Sequence, residues 1–418
     1  MIASRRRCLA IAVIATTVVA ACSSDGDDTV GSTVAETTTT VQPSVVTDGQ
    51  LIIGVMVPTG DALIGEPIQE AVDTAVDRIN TAGGVLGRSV RAIVSDEGDT
   101  AATADGAVQA LLDRGVDAIV GPASSLNALS SLDGIVDAGT LACSPTASSM
   151  ALDDFPDNNL FFRTIPSDSL QARAIAQAVD QTGAQRAAIV YVDDAYGRPF
   201  ASAVESELLS GAIAVVDSIP FASGGDSFSE EARRLIDTDA QAAIVLADAD
   251  DGTRFLAALG DEGADGIATI IVNDAMRNPT TPQRIQALDP AFRLKILGLA
   301  PQAASDDPSA PFDPPGLFAA NAFDCVNLIA LAAVKADSDA PTAIAEEMSN
   351  VSFSGSSCST FATCVQTIRD EFQIDYNGPS GITELQMRSG DPARATFDRF
   401  TFDETGTDLL QRTVVVSD

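Results

Sequence analysis

LIIGVMVPTGDALIGEPIQEAVDTAVDRINTAGG, residues 51–84, decides the fold. Its opening apolar run reads as a buried strand over 51–57. A helix then fits 67–80: it starts on Pro67, puts Ile68, Val72, Val76 and Ile79 on one face, and stops at Gly83-Gly84. A short apolar strand feeding an amphipathic helix that ends on glycine is the βα unit of a parallel sheet.

Moving outward, the unit repeats. Strands are expected at 90–94, 118–120 and 141–143, with helices around 107–112 and 129–136 closing at Gly115 and Gly139. A second series begins after Asp168, with strands at 187–192, 213–216, 243–246 and 269–272 and helices stopping near Gly183, Gly211 and Gly263. Two successive runs, each the size of one domain, predict a bilobal α/β protein in preference to one large sheet, with the interlobe cleft as the default site. A further helical stretch, 318–334, follows the Pro-rich segment 306–315, and the segments 397–402 and 413–416 alternate like antiparallel edge strands.

The amino terminus has another character. Arg5, Arg6 and Arg7 precede an apolar run over 9–15 and then Val19-Ala20-Ala21-Cys22, the layout of a cleaved signal over 1–21. Small residues running into a cysteine resemble the lipobox of bacterial lipoproteins, which implies a diacylglycerol on Cys22. The alternative is an ordinary signal, or an uncleaved anchor, with an incidental cysteine. Residues 22–49 then read as the lipidated cysteine and a polar, Thr-rich tether with a reach of about 28 Å. No later stretch approaches eighteen uninterrupted apolar residues, so lipid would be the only membrane attachment.

Composition narrows the chemistry. The formal charge is −35, and loss of the three leader arginines makes the remainder more negative still, which argues against nucleic acid as a partner. The chain has no histidine, the commonest general base and metal ligand, so no catalytic residue, metal site or cofactor is assigned. With Cys8 in the leader and Cys22 acylated, Cys143, Cys325, Cys358 and Cys364 remain, an even number that suggests two disulfides. Cys358 and Cys364 flank a short polar loop whose closure would contribute about 2 kcal/mol. Pairing of Cys143 with Cys325 requires tertiary contact, and two buried free thiols are the alternative.

Three motifs fail on inspection. GDSFS at 225–229 looks like an esterase nucleophile block but lacks a histidine to activate the serine. The acidic run around Asp248 is out of register for a calcium loop and reads as a solvated strand-to-helix loop. GGVLG at 83–87 follows a helix, not a strand, and is a helix stop and turn.

One ordered set of blocks goes beyond composition: IGVMVPTG with Gly65, AVDTAVDRINTAGGVLGRSV, VDAIVGPASS, SPTAS, FRTIPSD, VDDAYG, DSFSEEARRL, then YNGPSGITEL and FDRFTFDETG. In order and spacing they resemble the solute-binding proteins of branched-chain amino acid ABC transporters, the Leu/Ile/Val type of periplasmic binding protein. The resemblance implies two Rossmann-like lobes with parallel sheets joined by a multi-strand hinge, 51–168 with 299–393 and 169–298 with 394–418. It implies an amino acid-like solute between them and an ABC permease as partner. Carried over by position, the solute carboxylate meets Ser125, Thr146 through its backbone, and Ser148. Asp168 marks the lobe crossing, Tyr196 the family's YG pair, and Asp274 the acid for the solute ammonium. Ser125 and Ser148 have an alternative as helix caps, and Asp168 as a cap or hinge residue. Ile64 and Asp248 stand where the family commonly has aromatics, which points to a small, polar or cationic solute. A lipoprotein sensor of the same fold and an extracytoplasmic hydrolase are the competing functions, the second disfavoured by the missing histidine.

Overall fold

The computed structural model describes residues 47–302 and 316–417; the expected leader, Cys22 and most of the tether lie outside them. The first sheet is built from β1 (Ile52–Val57), β2 (Arg91–Asp96), β3 (Ala118–Val120), β4 (Leu141–Ser144) and β5 (Phe161–Arg163), all parallel, in the order β2-β1-β3-β4-β5. Helices α1 (Gly65–Thr81), α2 (Ala101–Leu112) and α3 (Ser125–Asp137) make the crossovers. Strand β1 reads as a continuous apolar run because it is central and buried on both faces.

Helix α4 (Asp168–Thr182) carries the chain into a second sheet: β6 (Arg186–Val192), α5 (Gly197–Ser210), β7 (Ala214–Phe221), α6 (Ser229–Ile236), β8 (Ala242–Leu246), α7 (Ala249–Glu262) and β9 (Thr269–Val272). Two short helices, α8 (Thr281–Gln286) and α9 (Pro290–Arg293), lead to β10 (Ile296–Pro301). These strands lie in the order β7-β6-β8-β9-β10, the same winding as the first sheet.

The chain then returns to the first sheet as α10 (Ala319–Ala336), α11 (Pro341–Met348), a two-stranded ladder of β11 (Ser356–Cys358) and β12 (Ile374–Tyr376), and α12 (Phe361–Arg369) between them. Helix α10 is long and apolar enough to span a membrane, but 83% of it is buried in the body, where its polar residues Asn321, Asp324 and Asn327 are hydrogen-bonded. Finally β13 (Thr383–Leu385), β14 (Pro392–Phe402) and β15 (Asp408–Ser417) add antiparallel strands beside β10. The lobe crossings expected at residues 168, 298 and 393 fall at the start of α4, inside β10 and inside β14.

Both cysteine pairs are bonded, Cys143–Cys325 and Cys358–Cys364. The first joins β4 to α10 across 182 residues and restrains the unfolded chain by about 5 kcal/mol on the loop-entropy argument. Beneath the loop after β4, fully buried Arg163 pairs with Asp391 at 2.6 Å and Asp153 at 2.7 Å and donates to the Ala147 and Ser149 carbonyls. Where the tether enters, Asp339 accepts from the backbone N–H groups of Asp48 and Gly49.

Candidate functional site

In each sheet the crossovers reverse direction beside the central strand, which opens a crevice at the strands' carboxyl ends. Every solute-contact residue expected from the sequence is delivered there or at α4, which starts beside it. Ile64 follows β1, Ser125 follows β3, and Thr146 and Ser148 follow β4; Tyr196 follows β6, Asp248 follows β8, and Asp274 follows β9. Gly121 at φ +118° lets the loop after β3 pass against the Met56 carbonyl, where a Cβ would collide.

The capping alternatives go to neighbouring serines. Ser124 caps α3 by accepting from the Asn127 N–H, Ser149 accepts from Ala151, and Ser167 caps α4 through Ser169. Ser125, Ser148 and Asp168 are thereby free of that task. The Ser125 hydroxyl accepts from the Ser149 N–H at 3.3 Å, so its own proton remains available to an anion. Thr146 spends its hydroxyl proton on the Ala123 carbonyl, which ties the loops after β3 and β4 together. Ile64 is half-buried against the core just before α1, its N–H held by Asp61.

The structure brings Ser148, Asp168, Tyr196 and Asp274 together. Asp168 is 2% exposed. Its N–H donates to the Ser148 carbonyl at 2.9 Å, and the Ser148 hydroxyl bonds its carboxyl group. Its Oδ1, however, is buried without a hydrogen-bond partner. Burial, then the neighbouring Asp274, hold the Asp168 carboxyl well above the usual carboxylate range. Asp274 is also pushed up by burial, against a hydrogen bond from the Gln171 amide at 3.0 Å. Tyr196 is raised by burial and by both carboxylates.

Asp248 opens the helix after β8. Its carboxylate is exposed and accepts from the Asp250 and Asp251 N–H groups at 2.8 and 2.9 Å, capping α7, and takes no part in the hydrogen bonds that join the cluster.

Three participants escaped sequence reasoning. Gln171 lies one helical turn beyond Asp168 and donates to both Asp274 and the Leu299 carbonyl, each at 3.0 Å. Asn273 is fully buried; its Oδ1 accepts from the Ala247 N–H and its Nδ2 faces the Tyr196 hydroxyl at 3.5 Å. The tyrosine therefore accepts from Asn273 and keeps its proton for something else. Glu97, in the loop after β2, accepts from the Ala123 and Ser124 N–H groups and so places an internal carboxylate beside the positive end of α3. The spacing of Gln171 from Asp168 is the only one of these signals readable in advance.

A model of the periplasmic binding protein family matches residues 53–373. The chain belongs to that family. The chemotactic signal transduction system substrate-binding protein BasB of Halobacterium salinarum is 27% identical over 329 residues, covering 76% of this chain and 78% of that protein. The Leu/Ile/Val-binding protein BraC3 of Rhizobium johnstonii is 29% identical over 265 residues, covering 57% and 72%. Among solved structures, the substrate-binding protein LivJ from Streptococcus pneumoniae in complex with isoleucine superposes with a TM-score of 0.67 at 20% identity, over 88% of this chain and 100% of that one. A solute-binding protein from R. palustris in complex with benzoate gives 0.64 at 16% identity, over 88% and 98%. The chain has the type I periplasmic binding protein fold, and its two sheets share one winding.

Proposed function

We propose that this chain is an extracytoplasmic solute-binding lipoprotein, anchored through Cys22, that captures an amino acid or related small polar solute in the interlobe crevice and delivers it to an ABC permease. The observation that carries this reading is the unmet Oδ1 of Asp168 beside Asp274. A solute ammonium supplies the missing donors and the missing positive charge together. The Tyr196 hydroxyl and the Ser125 hydroxyl offer protons to the solute's acceptor atoms. Binding across both lobes favours the closed state by its differential affinity, and hinge closure follows. The absence of histidine and the solute-binding relatives support a binding protein, not an enzyme.

A thermal-shift screen of amino acids, amides, urea and polyamines tests the solute class, because a ligand of the native state stabilises it in proportion to occupancy. An amine-bearing solute is expected to raise Tm and to bind by calorimetry; no response to any amine sinks the reading. Replacing Cys22 with Ser is expected to release the protein from membranes, and its retention there contradicts lipidation.

A sensing role is the second reading, favoured by the match to the chemotactic BasB over 76% of this chain. Loss of labelled-solute uptake on deletion of the protein supports import. Loss of a behavioural response with uptake intact supports sensing.

A further inference from the structure

We propose that Asp168 carries a proton in the empty cleft and surrenders it to solvent when a solute ammonium enters, so that capture of one solute releases one proton. This rests on the reading of the recess as an ammonium site.

The geometry leaves few other ways to accommodate the charge. Asp168 is 2% exposed and its Oδ1 has no partner, so an ionised carboxylate there would lack both water and a donor on that oxygen. The groups facing it come from five places. The loop after β4 supplies the Ser148 hydroxyl, and the turn after β9 supplies Asp274. Tyr196 comes from the turn after β6, and Arg163 and Asp153 come from the first lobe. On α4 itself, Gln171 spends both amide hydrogens on Asp274 and Leu299.

The cations nearby are already engaged. Arg163 is held by Asp153 and Asp391 and donates to two backbone carbonyls. Arg277, which faces Asp274, is paired with Asp398 at 2.6 Å and Asp408 at 2.9 Å. Asp168 is fully buried and Asp274 only half-buried, so where their like charges meet the proton goes to the more buried carboxylate with less support. Asp274 has the Gln171 amide, backbone donors and Arg277 on its side. Asp168 has one hydroxyl and the shared field of Arg163. The proton therefore resides on Asp168.

An ammonium between the two carboxylates reverses the preference, because it favours the ionised form of each. The O–H bond of Asp168 breaks, the proton passes to solvent, and Oδ1 accepts from the ammonium. Between the titration points of the occupied and empty cleft, affinity should rise with pH by up to about tenfold per unit, and level off above the empty-cleft value. A solute lacking the amine, such as 4-methylpentanoate, gives no such release.

The test uses the full chain with carboxyl-labelled aspartate and NMR, Asp168 being assigned by its disappearance in Asp168→Asn. That substitution replaces a neutral acid with a neutral amide of the same shape, and is expected to fold. With the cleft empty, Asp168 should titrate well above the exposed aspartates; saturating L-leucine or ethylammonium chloride should move its titration to lower pH. Calorimetry in phosphate and in Tris should show proton release by the native protein and none by Asp168→Asn. Ordinary titration of Asp168 in the empty cleft overturns the proposal, as does a raised titration that neither probe moves. If no amino acid binds but ethylammonium shifts Asp168, the amino acid reading fails and the proton linkage stands. If L-leucine binds with no proton released, the linkage fails and the amino acid reading stands.

Discussion

Asp324 and Asp168 are 1% and 2% exposed, each has a tyrosine close by, and the protein treats them in opposite ways. On α10, Asp324 is fully answered: its Oδ1 accepts from the Tyr376 hydroxyl at 2.8 Å and its Oδ2 from the Ser380 N–H at 2.9 Å. Gly378 packs so close that a Cβ would overlap the carboxylate. At the start of α4, Asp168 has one oxygen with no partner and a second carboxylate beside it. Burial raises both carboxyls, Asp324 to about 6, so burial does not distinguish them. The unmet lone pair does: one aspartate is a strut that locks β12 and the following turn to α10, and the other is half of a contact whose partner comes from outside.

The sharpest way to break that distinction is to remove each acid. Asp324→Ala strands the Tyr376 hydroxyl and the Ser380 N–H in the interior, and should destabilise the fold by about 4 kcal/mol in denaturant titration. Solute affinity of the remaining folded protein should be unchanged. Asp274→Ala should do the reverse. Loss of the charge-assisted bond should weaken binding of an amine-bearing solute at least about a hundredfold by calorimetry, roughly 3 kcal/mol, with little loss of stability. A large stability loss from Asp274→Ala, or an affinity loss from Asp324→Ala, would erase the contrast.

The two tyrosines repeat the comparison at smaller scale. Tyr376→Phe leaves Asp324 without its hydroxyl donor and should cost about 2 kcal/mol of stability. Tyr196→Phe removes only a 3.5 Å contact with Asn273, so stability should change by under about 1 kcal/mol. Its affinity should nonetheless fall roughly tenfold, because the hydroxyl proton that Asn273 leaves free goes to the solute. Equal stability losses in the two variants would mean that Tyr196 is another strut.

The strut and the site were not equally legible in the sequence. Strands such as β1 and β8 announced themselves because a parallel strand covered on both faces must be apolar throughout. Strand β5 did not, being three residues long and ending on Arg163, whose burial depends on acids from distant segments. The transfer of β13 and the start of β14 to the second sheet depends on pairing with β10, which no local pattern encodes. Asp168, Tyr196 and Asp274 entered through family blocks, while Gln171 and Asn273 are amides whose roles exist only once α4, β6 and β9 converge. In the sequence Asp248 reads as part of a solvated strand-to-helix loop and as a pocket position, and in the structure its exposed carboxylate caps α7.

A third buried acid gives the mildest test. Asp117 accepts from the Ile52 N–H at 2.7 Å and is pushed up to about 7 by burial and by Asp339 and Asp48, at the point where the tether joins the body. Its folded titration lies above the unfolded value of 3.8, so the folded state binds more protons between those points. Stability must then fall as pH rises from about 4 to about 7 and level off beyond. Asp117→Asn keeps an acceptor for Ile52 and cannot ionise. Allowing for solvent screening, it should match the native protein near pH 4 and exceed it at pH 8 by about 2 kcal/mol, a few degrees in Tm. Because Asp117 belongs with the struts, solute affinity should stay constant in this variant at every pH relative to the native protein. A change in the pH dependence of binding would mean that charge at the tether's entry reaches the cleft, and that the division between strut and site is not a local one.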